Sequence, residues 1–498
     1  MGSLPPRQRF RANNVAIIGA GPSGLAAAKY LLAEKAFSRI TIFEQRSTVG
    51  GLWNYIPCGS ESAQDVSIPQ TSPHAGLDRP IWKSSNEAED AQEQAQFMTA
   101  VYERLETNIP RDLMGFSDLE WPEDRQLFPR HEDVLEYIES YAKDVLHLIQ
   151  FRTQVLDMRP HGQDQWLVKT QAVEQKLAGT PVEEVCDAVI VASGHYAVPY
   201  IPDVPGIQEW NRAHPGLITH SKYYRKPENY AGKKVIVVGN SASGIDIGAQ
   251  IATVCSLPLL MSQKSESYLN VGGVSPEKQE KPEIIGYLPE SRGVKFADGT
   301  AETDIDAIVY CTGYFYSYPF LESLDPSVIS TGRRVENIYH HLFYRQRPTL
   351  SFLVLNQKVI PFPFAEVQSA LVARVLSGRL TLPSEEEMRA WEEDNMKEAG
   401  QGTSFHVLKF PKDADYLNML HDWAVSVDNT GDGVKGSVGK RPPCWSEKQY
   451  WIRERFPNIK KAFNDLGEAR HKARKLEDVG YDFEAWRRDK EKEEHNML

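Results

Sequence analysis

The chain has 498 residues, of which 41% are hydrophobic and 25% are charged, and its formal net charge is −12. This length and composition are typical of a folded protein of two or three domains, each able to bury its own core. The acidic balance argues against general nucleic-acid binding, and we find no apolar run near the roughly 18 residues of a membrane-spanning helix, so we expect neither nucleic acid nor a membrane as a partner.

The cysteines and the N-terminus indicate the compartment. Five cysteines are dispersed along the chain without a Cys-x-x-Cys pair, which is typical of a reducing environment. The N-terminus lacks the apolar segment of a secretory signal. We therefore expect a cytoplasmic protein. Because no cluster of residues stands at metal-ligand spacing, we expect no bound metal.

The first predicted element is a short buried strand, Val15 to Ile18, followed by a glycine-rich turn and a helix that continues to Leu32. In the pattern G-x-G-x-x-G, the first glycine makes a tight turn, the second lets a pyrophosphate approach the backbone, and the third lets the helix pack closely on the strand. The helix N-terminus favours the phosphates of a dinucleotide. The residues expected at these phosphates are Gly19, Ala20, Gly21, Pro22, Ser23 and Gly24.

A carboxylate follows the second predicted strand. This strand, Ile40 to Phe43, ends at Glu44, which lies 20 residues after Gly24. In this motif a carboxylate at that distance accepts hydrogen bonds from the adenosine ribose. It also repels the 2′-phosphate of NADP, so the first site is predicted to bind FAD or NAD.

The chain after this motif alternates irregular and periodic segments. Residues 57–90 are rich in Ser, Pro, Gln and acidic residues and predict a long surface loop. Helical spacing over 131–145 and short strands over 149–155 and 166–170 lead to a buried strand over 188–192, which ends at Ser193. The prolines that follow indicate a domain boundary, and they are Pro199, Pro202 and Pro205.

The second half repeats the opening theme with one substitution. Another buried strand, Val235 to Val238, precedes the pattern G-x-S-x-x-G and a helix through Ile251. Ser241 replaces the middle glycine, so we expect a slightly more crowded approach for the pyrophosphate. The contacts predicted here are Gly239, Asn240, Ser241, Ala242, Ser243 and Gly244.

Lys264 distinguishes the second site from the first. It lies 20 residues after Gly244, the offset that Glu44 has from Gly24, and Ser265 follows it. A cation flanked by hydroxyl groups suits the 2′-phosphate of NADPH. The second site is therefore predicted to bind NADPH, and the first FAD.

Together these elements predict an α/β fold with two Rossmann-like dinucleotide-binding domains, the NADPH domain being inserted in the FAD domain. A last buried strand is expected over 305–310 and a helix over 366–376, while 460–498 is expected to be a solvated helix with a frayed end. The predicted parts are the FAD domain (first part), the NADPH domain, the FAD domain (second part) and a charged, mostly helical C-terminal extension, at residues 1–199, 200–312, 313–425 and 426–498.

A chain with one FAD-type site and one NADPH-type site is most simply a flavin enzyme reduced by a nicotinamide. A pyridine-nucleotide disulfide reductase needs a redox cysteine pair close to the flavin, and Cys58 stands alone in that region. The chain also lacks a G-x-S-x-G nucleophile turn. Molecular oxygen is the electron acceptor that remains.

Several further stretches carry a family resemblance. Residues 214–224 match the pattern F-x-G-x-x-x-H-x-x-x-[YF] at Gly216, His220 and Tyr224, with His214 where Phe is usual. The other stretches are Gly50-Gly51-Leu52-Trp53, Thr107-Asn108-Ile109-Pro110, Thr312-Gly313-Tyr314 and Ala365-Glu366-Val367-Gln368. With the two glycine motifs, they resemble the flavin-containing monooxygenases, and are close to soluble fungal members, over nearly the whole chain to about residue 425.

The resemblance implies a reaction in which NADPH reduces FAD, oxygen adds to give a flavin C4a-hydroperoxide, and a nucleophilic nitrogen or sulfur takes up the distal oxygen. Expected substrates are a small amine, thiol or alkaloid, with N-hydroxylation or nitrone formation in fungal secondary metabolism as one outcome and a homodimer as one assembly. Asn108 is implied as the catalytic contact near the flavin N5 and the nicotinamide, whereas His220 and Tyr224 are implied to support the domain junction. Further contacts implied for FAD are Gly51, Leu52, Trp53, Gln357 and Gln368, and for NADPH Thr107 and Ser193.

Alternatives stay open for the class and for two residues. Baeyer–Villiger monooxygenases share the layout, but they usually end the 214–224 stretch in Trp or Pro, so Tyr224 argues against them. A non-catalytic nucleotide-binding sensor conflicts with intact Glu44 and Asn108. The alternative for Asn108 is a cap of the turn before Pro110, and the alternative for Lys264 is a solvated surface lysine.

Overall fold

The computed structural model describes residues 7–57, 66–83, 94–174, 179–265, 275–427 and 439–497. Two sheets made mainly of parallel strands organise these residues, and helices pack on them. This architecture confirms the predicted α/β class. Cys58 and much of the expected loop over 57–90 lie outside the described residues.

The first sheet has seven strands, and the first glycine motif leaves it from a central strand. Five neighbouring strands run parallel, and an antiparallel hairpin completes one edge. The central strands are continuous buried apolar runs because both faces of the sheet are covered. Across the sheet, the strands are Ile338–Tyr339, Phe343–Tyr344, Leu350–Phe352, Ala188–Val191, Asn14–Ile18, Arg39–Phe43 and Ile149–Gln150.

The second sheet has five strands, all parallel, and carries the second glycine motif. Its strands come from a part of the chain that lies between two strands of the first sheet, so this unit is an insertion, as predicted. Across the sheet, the strands are Ile218–His220, Ala307–Tyr310, Val235–Val238, Leu259–Ser262 and Lys278–Lys281.

The chain enters and leaves the insertion side by side. Val198–Pro199 on the way in pairs with Tyr314–Phe315 on the way out as a two-stranded antiparallel ribbon. The pairing continues with a hydrogen bond of 3.0 Å from Tyr200 N to Gly313 O. This crossing ribbon sets the two sheets next to each other.

Smaller sheets and nine helices complete the described chain. The small antiparallel sheets are Ile81–Lys83 with Gln94–Gln96, then Thr153–His161, Gln165–Ala172 and Val182–Cys186, and then Ile284–Leu288, Gly293–Phe296 and Ala301–Glu302. Among the described residues the α-helices are Pro22–Glu34, His131–Ala142, Ile207–Ala213, Ala242–Ala252, Pro361–Leu376, Glu385–Ala399, Lys412–Val425, Glu447–Asp465 and Phe483–Met497.

Helix Pro361–Leu376 is buried along almost its whole length and packs against helix Pro22–Glu34 under the first sheet. It begins five residues before the predicted start at Glu366. The reason is that Pro361 and Pro363 lie in the first turn, where proline is tolerated because those N–H groups have no partner within the helix.

The C-terminal extension corrects one prediction. The expected solvated helix over 460–498 is instead parts of two helices, Glu447–Asp465 and Phe483–Met497, joined by short 3-10 turns. The first of these helices buries an apolar face on the protein core. Spacings of three and four residues place its apolar residues on one side, and they are Ile452, Phe456, Ile459 and Phe463. The high charge of the segment concealed this face.

Across the described ranges, no helix has the length and hydropathy to cross a membrane.

A buried carboxylate ties the extension to the helices that pack on the first sheet. Glu366 is fully buried and accepts hydrogen bonds of 2.7 Å from both the backbone N and the hydroxyl of Ser117. Tyr30 also donates to it, and Lys440 of the extension forms an ion pair with it. One side chain thus joins two helices, a loop and the extension.

We expect Glu366→Ala to lower the free energy of unfolding by about 3 kcal/mol or more, because it removes the buried carboxylate and leaves the ammonium of Lys440 with the partly exposed Asp118, 3.2 Å away, as its counter-charge. Thermal unfolding followed by circular dichroism measures the change. The matched control is Glu398→Ala, whose partner Lys412 and own side chain are 62% and 67% exposed, and which should leave the melting temperature unchanged. Equal melting temperatures for the two variants would contradict this role of Glu366.

Candidate nucleotide-binding and active site

The first glycine motif folds as the sequence predicts. Gly19 has φ 102°, a conformation that favours glycine, and its N–H donates to Phe43 O at 2.8 Å. A Cβ on Gly24 would stand 1.9 Å from Gly19 O, so the helix N-terminus comes as close to the turn as a residue without a side chain permits.

Two glycine backbones form a cradle at this helix N-terminus. A Cβ on Gly21 would lie 3.6 Å from the Cα of Gly51, and one on Gly51 would lie 3.1 Å from the Cα of Gly21. The short helix Gly51–Trp53 continues from the cradle with Leu52 and Trp53, both half-buried. An opening lined by backbone beside free helix N–H groups fits a pyrophosphate.

Glu44 is held in place beside this cradle. Its side chain is buried, with one carboxylate oxygen 2.8 Å from Ala20 N and the other 2.9 Å from Arg46 N. The guanidinium of Arg46 lies 3.7 Å from the second oxygen and 5.5 Å from the ring centre of Phe97. Fixed carboxylate oxygens that keep further lone pairs fit the hydroxyls of a ribose, as in FAD. Sequence reasoning missed Arg46, although a cation two residues after the acid was a visible sign.

The second glycine motif repeats this construction. Gly239 has φ 106° and donates to Ser262 O at 2.8 Å, and a Cβ on Gly244 would stand 1.9 Å from Gly239 O. Ser241 has φ −83° and ψ −171°, close to the −77° and −178° of Gly21, so this backbone position does not require glycine. Its side chain is exposed, so the predicted crowding falls at the mouth of the site and leaves the turn unstrained.

The strand register corrects the comparison that singled out Lys264. Val238 pairs with Ser262 as Ile18 pairs with Phe43, so the residue equivalent to Glu44 is Gln263. The offset differs because the stretch from the last glycine of the motif to the end of the next strand is one residue shorter in this unit: its helix and strand are shorter, although the connection between them, residues 253–258 against 35–38, is longer. Gln263 Oε1 accepts a hydrogen bond of 2.7 Å from Asn240, and its neutral amide neither binds a 2′-hydroxyl as a carboxylate does nor repels a 2′-phosphate.

Lys264 itself lies one residue further along, at the surface. Its side chain is 81% exposed and its ammonium is 2.9 Å from a carboxylate oxygen of Glu283. A long exposed cation next to the ribose position can turn to a phosphate, so its assignment to NADPH stays a prediction.

Asn108 lies in a segment that is tied by backbone hydrogen bonds to residues 127–129. The preceding Thr107 is buried, with its N–H donating to Pro129 O at 2.9 Å and its hydroxyl to Ile109 O at 2.9 Å. Thr107 therefore makes the local turn bond that the alternative gave to Asn108. The Asn108 side chain is half-buried, and its catalytic role stays a prediction.

The two predicted glutamine contacts differ in their surroundings. Gln368 is fully buried, and its side-chain amide is hydrogen-bonded to Val354 N, Asn356 and Tyr416. These bonds make it a structural residue of the helix. Gln357 is half-buried and donates to the Tyr316 hydroxyl at 3.0 Å. Gln357 thus remains a candidate for the flavin ring, and Gln368 does not.

A group of buried histidines near Gln357 was not singled out by the sequence. Gln357 N donates to His406 O at 2.8 Å, and the His406 ring lies 5.1 Å from that of Tyr316. Val335 N donates to His406 Nε2, so His406 carries its proton on Nδ1 and donates it to His341 Nδ1 at 2.9 Å.

His195 lies on the other side of Tyr316, at a ring distance of 4.9 Å. It follows the predicted NADPH contact Ser193, which is exposed at the end of strand Ala188–Val191. Its Nε2 is buried and has no partner in the described part of the chain, and burial lowers the pKa of His195 to about 4.

The stretch over 214–224 supports the domain junction. His220 is fully buried, and its two ring nitrogens bond Gly313 O at 3.0 Å and Lys222 N at 3.1 Å. The Tyr224 hydroxyl donates to Gln250 of the helix that follows the second glycine motif. Gly216 has φ 81°, and His214 replaces the usual Phe by stacking edge-on with Trp210. The His214 departure is therefore accommodated by packing.

Two dinucleotide sites of different charge, joined by a crossing ribbon, define a flavin- and nicotinamide-dependent oxidoreductase. The model of the family Flavin-binding monooxygenase-like matches residues 78–272 and 280–434, and that of the NAD(P)-binding Rossmann-like domain matches residues 17–62. The chain belongs to the flavin-binding monooxygenase-like family, and FAD and NADPH are its cofactors. The predicted family and enzyme class are confirmed.

Relatives and solved structures agree with this family. The chain is 33% identical over 401 residues to the flavin-containing monooxygenase FMO GS-OX3 of Arabidopsis thaliana, covering 77% of this chain and 78% of the relative. It is similar to the structure of S-allyl-L-cysteine S-oxygenase from Allium sativum, with a TM-score of 0.73, 28% identity and coverage of 95% and 97% of the two chains. It shares its fold with Tmm from Pelagibacter sp. strain HTCC7211, with a TM-score of 0.65, 21% identity and 90% coverage of each chain.

We expect Gly21→Ala to keep the fold and lose flavin, since its methyl group meets ordinary van der Waals contact at 3.6 Å but fills the cradle. The FAD dissociation constant should rise about tenfold or more, which corresponds to ~1.4 kcal/mol. Flavin absorbance after reconstitution and thermal unfolding provide the measurements. Gly24→Ala, whose methyl group meets Gly19 O at 1.9 Å, should in contrast unfold or misfold the protein. Full flavin occupancy in Gly21→Ala would refute the cradle.

We expect the NADPH site to respond to charge at two adjacent positions. Lys264→Ala should raise the KM for NADPH about tenfold and leave that for NADH unchanged, because a charge-assisted phosphate contact is lost. Gln263→Glu should lower the preference for NADPH by placing a carboxylate at the position equivalent to Glu44. Steady-state oxidation of both nucleotides measures the ratio. Equal effects of Lys264→Ala on NADPH and NADH would show that this lysine does not bind the 2′-phosphate.

Proposed function

We propose that this chain is an NADPH- and FAD-dependent monooxygenase that transfers one oxygen atom of O2 to a nucleophilic sulfur or nitrogen of a small molecule. A thioether or thiol sulfur is the first substrate class, and an amine or alkaloid nitrogen is the second. Hydroxylation of the nitrogen, or its conversion to a nitrone, is the corresponding reaction of the second class.

The observation that carries this proposal is that the buried histidines are neutral, both those near Gln357 and the one at the crossing ribbon. Burial lowers the pKa of His220 and of His341 to about 3, and that of His195 to about 4. At neutral pH these rings are uncharged, so none of them is an imidazolium that could act as an acid, and none readily accepts a further proton. A sulfur or free-amine lone pair attacks an activated oxygen without a protein base, so this site suits soft nucleophiles.

The chain's own residues would hold the reactants in place. FAD and NADPH, when bound, supply the oxygen-activating ring and the hydride. Glu44 holds a ribose of FAD, and the backbone at Gly21 and Gly51 receives the pyrophosphate. The Asn108 amide, which both donates and accepts hydrogen bonds, would contact the flavin and the nicotinamide and fix their orientation.

Similarity supports sulfur as the first substrate class. The S-oxygenase from Allium sativum is 28% identical to this chain, and the alignment covers 95% of it. An uncharged thioether also enters a neutral pocket with less loss of solvation than an ammonium ion.

We expect NADPH-dependent oxygen uptake with thioethers and amines, and none above background with cyclic ketones. For a thioether, kcat/KM should be level between pH 6 and 8, because the pKa values of about 3 to 4 for His195, His220 and His341 lie below that range. For an alkylamine, kcat/KM should rise about tenfold per pH unit toward the amine's own pKa, because the free base reacts.

Product analysis by mass spectrometry with labelled oxygen, and rates across this pH range, test the proposal. Lactone formation from ketones with no oxygenated sulfur or nitrogen product would assign the chain to Baeyer–Villiger oxidation instead. A thioether profile with an apparent pKa near 7 would reveal a protein acid or base that the proposal excludes.

A further inference from the structure

The carboxylate of Glu106 is the point where the C-terminal extension reaches the predicted active site. Its side chain is 13% exposed, and three groups of the extension surround it. Lys460 Nζ lies 3.7 Å and Arg470 Nε 3.5 Å from one carboxylate oxygen, and His471 Nδ1 lies 3.6 Å from the other. Gln126 completes the group by donating to Glu106 at 3.2 Å and pairing with His471 at 3.1 Å.

Lys460 is built into this position. Its side chain is 14% exposed, and its ammonium lies 4.5 Å from the ring centre of Phe128 and 5.0 Å from that of Phe463. The extension also pairs with the same region through its backbone, since Leu127 N donates to Ala473 O at 2.9 Å. A charge that is packed between two rings and aimed at a carboxylate fixes the position of both.

Glu106 is directly connected to the predicted catalytic residue. It forms an antiparallel bridge with Arg130, and Thr107 is held through its backbone N–H and its hydroxyl as described above. Asn108 is the next residue, so a shift of Glu106 passes to Asn108 through two tightly held peptide units.

The other end of the same segment contacts the helix that follows the second glycine motif. Tyr102 donates a hydrogen bond to Asp246, and Gln250 donates to both Asp246 and Arg104 O. Asp246 and Gln250 belong to helix Ala242–Ala252, whose N-terminus is the second glycine motif. Residues 97–110 therefore touch both nucleotide units and the extension.

We propose that the C-terminal extension is a positioning element of the active site, acting through the contact of Lys460 with Glu106 to set Asn108 between the two cofactors. The inference rests on the proposed function, because it takes Asn108 as the contact between flavin and nicotinamide. The proposal assigns Lys460 and Glu106 no contact with a cofactor; they act through the segment they anchor.

The test compares Lys460→Met with Lys461→Met. Both remove one ammonium from adjacent positions of helix Glu447–Asp465, but Lys461 pairs with Asp465 on the surface, at 40% side-chain exposure. Methionine keeps the packing of the Lys460 stem against Phe128 and Phe463. Hydrogen–deuterium exchange of the holoenzyme measures how firmly the segment 105–110 is held. The hydrogen peroxide released per NADPH oxidised measures how often oxygen is reduced without forming an oxygenated product.

We expect Lys460→Met to raise the exchange rate of 105–110 about tenfold or more while helix Pro22–Glu34 exchanges as in the wild type. Peroxide release per NADPH should at least double, and the KM for the thioether should change less than kcat. Lys460→Arg, which keeps the positive charge, should leave exchange and peroxide release close to the wild type. The variant Glu106→Gln should give the same effects, and adding Lys460→Met to it should add little, because the two changes remove one interaction. Lys461→Met should match the wild type.

Unchanged exchange at 105–110 in Lys460→Met would overturn the proposal. Raised exchange together with wild-type peroxide release per NADPH would also overturn it, because the contact would then be structural only. If Lys460→Met does not fold, Arg470→Met removes the second cation from a side chain that is 27% exposed, and the same two readouts decide. A wild-type holoenzyme that oxidises NADPH but oxygenates no sulfur or nitrogen would refute the proposed function, and the exchange comparison would still decide whether the extension anchors Asn108.

Discussion

The structure depends on a steric constraint that occurs twice: a helix must start in contact with the turn that ends a parallel strand. At Gly24 and at Gly244 the space between helix and turn is too small for a methyl group, by the same 1.9 Å measure. Because the helix comes so close, its N–H groups point past the end of the strand, where a phosphate can reach them. The two predicted phosphate positions follow from these two contacts.

What separates the two sites is the residue at the end of the second strand of each unit. A buried carboxylate, Glu44, occupies this place in one unit and a neutral amide, Gln263, in the other, and each bonds the residue after the first glycine. The same backbone is therefore predicted to serve two dinucleotides, with the charge of one side chain favouring a free ribose or tolerating a phosphorylated one. In this prediction, the preference for one dinucleotide over the other depends on the charge of one residue in two otherwise similar units.

The sequence was sufficient for features that depend on neighbours along the chain. Both glycine motifs, the buried strands beside them, Glu44 and the inserted arrangement could be predicted from spacing and periodicity, and the family from a few short stretches. Lys264 was compared with Glu44 by counting residues, but the stretch from the glycine motif to the end of the next strand is one residue shorter in the second unit, so the equivalent residue is Gln263, which strand pairing alone reveals. The apolar face around Ile459 was visible as a helical spacing but was outweighed by charge.

Contacts between distant residues were beyond reach of the sequence. His341 and His406 are 65 residues apart, and Glu106 lies more than 350 residues before Lys460, so neither pairing leaves a local pattern. The first contact joins two histidines that burial keeps neutral, and the second gives the Asn108 segment its anchor. The framework is thus predictable, whereas the surroundings that tune it emerge only from the folded chain.

The crossing ribbon has a consequence for how such a protein can change. Because Tyr200 N and Gly313 O are 3.0 Å apart, the inserted NADPH unit begins and ends at one place, which is the arrangement in which whole domains are most easily exchanged. A transplanted unit would, however, have to reproduce Asp246 and Gln250, since these side chains meet Tyr102 and Arg104 across the junction. The insertion is modular at its two ends and specific on one helix face, so recombination among related chains is restricted to units that preserve that face.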